Sequence, residues 1–152
     1  MYVNIEICTA VKEGEDNNKF MPFKAHASDA GFDIMAACDD SCVIEPFGTT
    51  VIPAGFRMEL PFGYEAQIRS RSGNALKRKF QVANSPGTID SAYRGEVGVI
   101  IFNASDKELV IKRGEKIAQM VIQKVPEVNL VKVNAISLET ERSENGFGST
   151  GK

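Results

Sequence analysis

Cys42-Val43-Ile44-Glu45-Pro46-Phe47-Gly48-Thr49-Thr50-Val51-Ile52-Pro53-Ala54-Gly55-Phe56-Arg57-Met58-Glu59-Leu60-Pro61-Phe62-Gly63-Tyr64-Glu65-Ala66-Gln67-Ile68-Arg69 is a run of short apolar or alternating segments cut by turns. Cys42–Ile44, Thr49–Ile52, Phe56–Leu60 and Tyr64–Arg69 have strand length. Pro46-Phe47-Gly48, Pro53-Ala54-Gly55 and Pro61-Phe62-Gly63 separate them. Proline cannot donate to a ladder and glycine supplies turn conformations, so breaks of this kind at intervals of about eight residues predict an antiparallel β-sandwich or barrel.

The pattern extends in both directions. Val3–Cys8 alternates polar and apolar and reads as a strand, with a polar loop at Lys12–Asn18. Phe80–Ala83, Glu96–Asn103, Glu108–Lys112, Ile117–Val125 and Leu130–Val133 continue the series, and only Ser72–Lys79 reads as a short helix. The expected class is all-β, a jelly-roll-like barrel or sandwich. Val97–Phe102 and much of Ile117–Val125 are apolar on both faces. That suits either a central strand or an oligomer that hides its sheet edges.

Composition bounds the function. At 152 residues with 43% hydrophobic content, the chain makes one packed domain. Eighteen basic residues face 20 acidic ones, and no polybasic run suits duplex DNA or an anionic membrane. No apolar run approaches the roughly 18 residues of a membrane helix. The opening residues do not read as a signal peptide, and Cys8, Cys38 and Cys42 are an odd set. The expectation is reduced thiols, a cytoplasmic location (or a nuclear or virus-infected host cell interior) and no secretion.

Several segments carry chemistry. Arg71-Ser72-Gly73 opens the helical stretch, where free N–H groups favour anions; a Ser N-cap beside a surface arginine is the plainer reading. Asn84-Ser85-Pro86-Gly87-Thr88-Ile89-Asp90-Ser91-Ala92-Tyr93 reads as a turn flanked by two strands of a hairpin. Its backbone could pair with the edge of a base, and Asp90, an ionised carboxylate, could take a proton from water. Ala27–Ile34 holds Asp29 and Asp33 around Gly31 and suggests Mg2+ held through water, with Asp29 better read as a loop cap. Gln119 is a polar side chain in an apolar run and needs a partner, whether ligand or backbone. His26 is the single histidine and completes no zinc site. The tail Arg142–Lys152 combines an arginine, Phe147, glycines and two hydroxyls after the aromatic. It has too little apolar surface to order alone, yet its parts suit a phosphate and, at Phe147, stacking on a base.

Together these segments resemble the trimeric dUTPase (dUTP nucleotidohydrolase) family, with all five of its motifs in order: Ala27–Ile34, Arg71–Gly73, Gly87–Gly95, Gly114–Met120 and Arg142–Gly151. The resemblance implies a jelly-roll-like homotrimer with a β domain at 1–138 and a mobile glycine-rich lid at 139–152 that closes over a neighbouring subunit's site. It implies Mg2+-dependent hydrolysis of dUTP to dUMP and pyrophosphate, which limits uracil incorporation into DNA and supplies dUMP for dTMP synthesis. It gives Asp90 the role of base. It puts Tyr93 under the deoxyribose and Asn84 with Gly87, Thr88 and Ile89 around uracil. Arg71, Ser72, Gly73 and Gln119 become the phosphate grip, Asp33 the carboxylate behind the Mg2+ waters, and Arg142, Phe147, Gly148 and Ser149 the lid. Ser143 and Asn145 stand where the family commonly has glycine. Two other functions compete: a dCTP deaminase of the same fold, and a non-catalytic β-sandwich binding or regulatory protein. The Thr88–Tyr93 run and the tail favour the dUTPase.

Overall fold

The Pro-x-Gly breaks turn the chain from one sheet into another. A computed structural model describes residues 1–141 and 143–144; Arg142 and 145–152, with Phe147, Gly148 and Ser149 of the expected lid, lie outside the described residues. The strands are β1 (Asn4–Ile7), β2 (Phe32–Met35), β3 (Ser41–Ile44), β4 (Thr49–Pro53), β5 (Phe56–Glu59), β6 (Tyr64–Arg69), β7 (Phe80–Val82), β8 (Gly87–Ile89), β9 (Gly98–Asn103), β10 (Leu109–Lys112) and β11 (Lys116–Lys124). They form four antiparallel sheets, ordered β1-β5, β10-β3, β2-β11-β6-β8 and β4-β9-β7. No strand pairs with its neighbour in sequence. Gly55 and Gly63 take φ of +78° and +80°, the left-handed conformations that let the chain leave one sheet and enter the next. This is an all-β, jelly-roll-like body. Its pairings are all non-local, so loop closure must precede them and folding is expected to be slow for the size.

Alternation puts one side of each strand inside. In β5, Phe56 and Met58 are buried while Arg57 and Glu59 are exposed. The main core gathers Ile34, Ile52, Phe56, Phe80, Ile101, Ile111 and Ile117 among others, and Phe20, Met35 and Ala37 form a satellite cluster. β9 and β11 are central strands, each with partners on both sides, which accounts for their two-sided apolar character.

Three expectations are corrected. Leu130–Val133 is not a strand: it pairs with nothing described, and Leu130 is 95% exposed. Phe80–Val82 and Gly87–Ile89 are strands but not a hairpin, because β7 pairs with β9 and β8 with β6. Ala27–Ile34 is not wholly loop, since Asp33 sits within β2 and pairs with Gln119 of β11. Its two intermediate residues at Phe32 and Asp33 hide the alternation there.

A half-buried ion pair fixes the long loop after β1. Arg113 grips Glu15 through Nε and Nη2, both at 2.9 Å, and donates to the carbonyls of Cys38 (3.0 Å) and Ala10 (2.7 Å). Lys19 Nζ reaches the same carboxylate at 2.7 Å, and the guanidinium stacks on Phe20, 4.6 Å from its centroid. The hydrogen bond from Arg113, followed by that from Lys19, holds the Glu15 carboxyl well below the usual range. A carboxyl depressed in the folded state adds stability above its unfolded pKa, near 4.5, and loses it as pH falls further. Glu15→Gln should therefore lower Tm by a constant amount at neutral pH, and the gap to wild type should shrink below about pH 4.5. Thermal melts across pH 3–7 measure this; a gap that stays constant to pH 3 would count against the ion pair.

Candidate active site

The polar cleft lies where β2, β11 and the turn after β6 meet. It encloses about 390 Å³ and is lined by Asp29, Gly31, Asp33, Arg71, Ser72, Gly73 and Gln119, with two alanines. A somewhat larger groove of about 430 Å³ lies between β1 and β11, but Val3, Ile5, Phe32, Met120 and Ile122 make it apolar. The polar cleft thus brings together the residues singled out from three separate stretches of sequence.

Asp33 is its electrostatic centre. Arg71 Nε approaches one carboxylate oxygen at 2.9 Å and Lys116 Nζ the other at 2.7 Å, and the Asp33 side chain is only 14% exposed. Lys116 also stands over the Phe23 ring at 4.6 Å. Asp33 thus holds both cations beside the cleft, and with Asp29 also lining it the four charges balance. Asp29 caps its own loop, accepting from the His26 N–H at 2.9 Å.

After Arg71 the chain is helical from Ser72 to Arg78, close to the expected Ser72–Lys79, with a π-helical turn over Asn74–Arg78. Ser72 does not cap it: Gly73 occupies the cap position, with no side-chain cap bond. The turn is held by buried Asn74, whose Nδ2 donates to the carbonyl of Lys116 at 2.9 Å. Gln119 finds backbone, donating from Nε2 to the Ser70 carbonyl at 2.9 Å.

Ser70 and Lys116 escaped the sequence reading. Ser70 is a hub: besides its bond from Gln119, its Oγ accepts from the Val82 N–H at 2.9 Å, and its own N–H donates to Ser85 Oγ at 3.3 Å. It ties β11, β6 and the turn before β8 together. The available signal was position, a hydroxyl where β6 ends directly before Arg71. Lys116 lies inside the Gly114–Met120 motif, but its residue type alone did not single it out there.

Asn84, Gly87, Thr88, Ile89, Asp90 and Tyr93 lie elsewhere. β8 is the outer strand of its sheet, with Gly87 facing Ile68, Thr88 facing Gln67 and Ile89 facing Ala66. Asp90 is exposed just beyond its end, and the chain turns at once, Tyr93 N–H donating to the Asp90 carbonyl at 3.0 Å. The expected regular limb with Asp90 and Tyr93 on opposite faces is therefore a tight turn. β2, which carries Asp33, is the opposite outer strand of the same sheet. Three strand spacings, roughly 14 Å along the sheet, separate the two edges.

For Mg2+, the described residues offer no group of three His, Cys, Asp or Glu side chains that could cage an ion. Both Asp33 oxygens already accept from cations, though a carboxylate has about four lone-pair sites. These residues would suit an ion held mainly by phosphates and waters, toward which Asp33 has lone pairs to spare.

The dUTPase family model matches residues 17–151. The chain belongs to the dUTPase family. A deoxyuridine 5'-triphosphate nucleotidohydrolase of Hydrogenobaculum sp. (strain Y04AAS1) is 52% identical over 131 residues, 86% of this chain and 90% of the relative. The dUTPase of Staphylococcus bacteriophage 80alpha, solved with dUPNHPP, superposes with a TM-score of 0.84 at 28% identity, covering 99% of both chains. A mutant dUTPase of phage phi11 of S. aureus, in which coordination of a structural Mg(II) ion is described, matches at TM-score 0.75 and 25% identity over 90% of this chain and 99% of that one. The polar cleft and the β8 edge are thus two parts of a dUTPase fold. Among the described residues, no helix is long and apolar enough to cross a membrane.

Proposed function

We propose that this chain is a dUTP diphosphatase that works as a homotrimer. Water attacks the α-phosphorus of dUTP, a new O–P bond forms, the bridging bond to the β-phosphate breaks, and dUMP and pyrophosphate leave. Asp90 takes the proton from the attacking water. Such transfers depend mostly on positioning and charge stabilisation. Arg71, Ser72, Gly73 and Gln119 hold the phosphates in the polar cleft, and Mg2+, when bound, neutralises phosphate charge there. Asn84 and the backbone of Gly87, Thr88 and Ile89 take uracil, and Tyr93 packs under the deoxyribose. Arg142, Phe147, Gly148 and Ser149 close over the nucleotide. The product chemistry limits uracil in DNA and provides dUMP for dTMP synthesis.

One observation carries this reading: Asp33 stands on the outer strand opposite β8, and Asp90 follows Ile89, which pairs with Ala66 near the start of β6, whereas Arg71 lies beyond the other end of that strand. A single copy keeps phosphate grip and base apart, whereas a neighbouring copy can bring its β8 edge to this cleft. Exposed apolar residues after β11, among them Val128, Leu130, Val131 and Ile136, favour the same assembly, since a lone chain leaves them in water.

Pyrophosphate release from dUTP, UTP, dCTP and dTTP, with and without Mg2+, tests the activity. Ammonia from dCTP would mark a deaminase instead. dUTP should be preferred strongly over UTP, because a 2′-hydroxyl would press on the Tyr93 ring and be left desolvated. Comparable kcat/KM for the two nucleotides would remove Tyr93 from that role.

A further inference from the structure

Tyr93 does not stand free beside β8; the hydroxyl end of its ring is held by its own loop. The Tyr93 hydroxyl donates to the Glu96 carbonyl at 2.9 Å. That same end crowds Gly95, so closely that a Cβ there would stand 2.3 Å from Oη, 2.6 Å from Cζ and 3.0 Å from Cε2. Gly95 is not among the residues with positive φ, so glycine is needed here for space and not for backbone freedom. The loop beneath is braced as well. Arg94 Nη1 donates to the Ser91 carbonyl at 2.7 Å and the Tyr93 carbonyl at 3.0 Å, while Nη2 stands 3.6 Å from Glu59 on β5. Glu96 Oε1 accepts the Gly55 N–H at 3.0 Å. Despite these ties Tyr93 remains 44% exposed, so one part of the ring is seated and the rest is open.

We propose that Gly95 is a positioning residue that sets sugar specificity by seating the Tyr93 ring at a fixed height. This rests on the dUTP diphosphatase reading and adds to it a residue that touches no substrate. A ring excludes a 2′-hydroxyl only if it cannot retreat. Any side chain at position 95 must lift the ring and break the Tyr93–Glu96 hydrogen bond with the same movement. Released at its hydroxyl end, the ring yields to the extra oxygen.

The test compares wild type, Gly95→Ala and Tyr93→Phe. Steady-state kcat/KM for dUTP and UTP should show the preference for dUTP falling by about tenfold or more in Gly95→Ala. It should fall by roughly two- to tenfold in Tyr93→Phe, which keeps the seat and loses one hydrogen bond. Ring position is read separately by 19F NMR of protein labelled with 3-fluorotyrosine. The chain has 3 tyrosines, and the signal missing from Tyr93→Phe assigns Tyr93. In Gly95→Ala that signal should shift while those of Tyr2 and Tyr64 stay in place. A shifted signal with unchanged discrimination overturns the proposal, as does an unshifted signal. If Gly95→Ala loses its fold, seen as movement of all the signals, unchanged discrimination in Tyr93→Phe overturns it instead. A wild type that does not cleave dUTP would sink the diphosphatase reading, and the NMR comparison would still report whether the seat exists.

Discussion

Asp90→Asn is expected to fold, assemble and bind dUTP normally while turnover drops by about 10²–10⁴-fold, the range typical of losing a general base. Asparagine has nearly the shape of aspartate but cannot accept a proton from water. The turn after β8 uses the Asp90 carbonyl, not its side chain, to accept from the Tyr93 N–H, so the substitution leaves that bond intact. Asp90 is also exposed, so its replacement leaves no packing defect to masquerade as a catalytic one. Single-turnover kinetics with dUTP, alongside equilibrium binding of a non-hydrolysable analogue, separates the two steps. Near-normal turnover would take Asp90 out of the mechanism, and lost binding would give it a different role.

Removing residues 142–152 should cost nearly all activity and almost no stability. The segment carries one large apolar side chain, Phe147, too little to support the core. Its arginine and phenylalanine instead suit closure over a bound nucleotide, excluding water and completing the site. If closure is exchanged between copies, two dead proteins should rescue each other. Truncated chains with an intact Asp90, mixed with full-length Asp90→Asn chains, would form some sites that combine a working base with a working lid. Recovery of activity in verified mixed trimers is the expected result. Its absence would mean that each tail closes over its own site, and a large fall in Tm on truncation would make the tail structural.

Much of this was legible in the sequence because it depends on short-range rules. The Pro-x-Gly breaks located β3 to β6 almost to the residue, since turns and alternation are local properties. Pairing is not local. Phe80–Val82 and Gly87–Ile89 looked like two limbs of a hairpin, yet each found its partner across the body, β7 at β9 and β8 at β6. Leu130–Val133 has strand composition but no described partner, and composition alone cannot supply one. The site shows the same division. Motif order identified Asp33, Arg71 and Gln119, while Lys116 and Ser70 became visible only when folding brought them to Asp33 and Gln119. The crowding of Tyr93 against Gly95 likewise lies in three dimensions, although the two residues are nearly adjacent in sequence.

β8 has no strand on its outer side among the described residues, so its free rim of main-chain donors and acceptors faces outward. If uracil is read there, the part of the reading head that β8 supplies is made of atoms that every amino acid shares. Thr88, whose side chain is exposed, could then change over generations without altering which base is accepted. Discrimination written in peptide groups is hard to erode by point mutation. Shifting it to another base would require moving the strand itself, and β8 is stapled to β6 along its whole length.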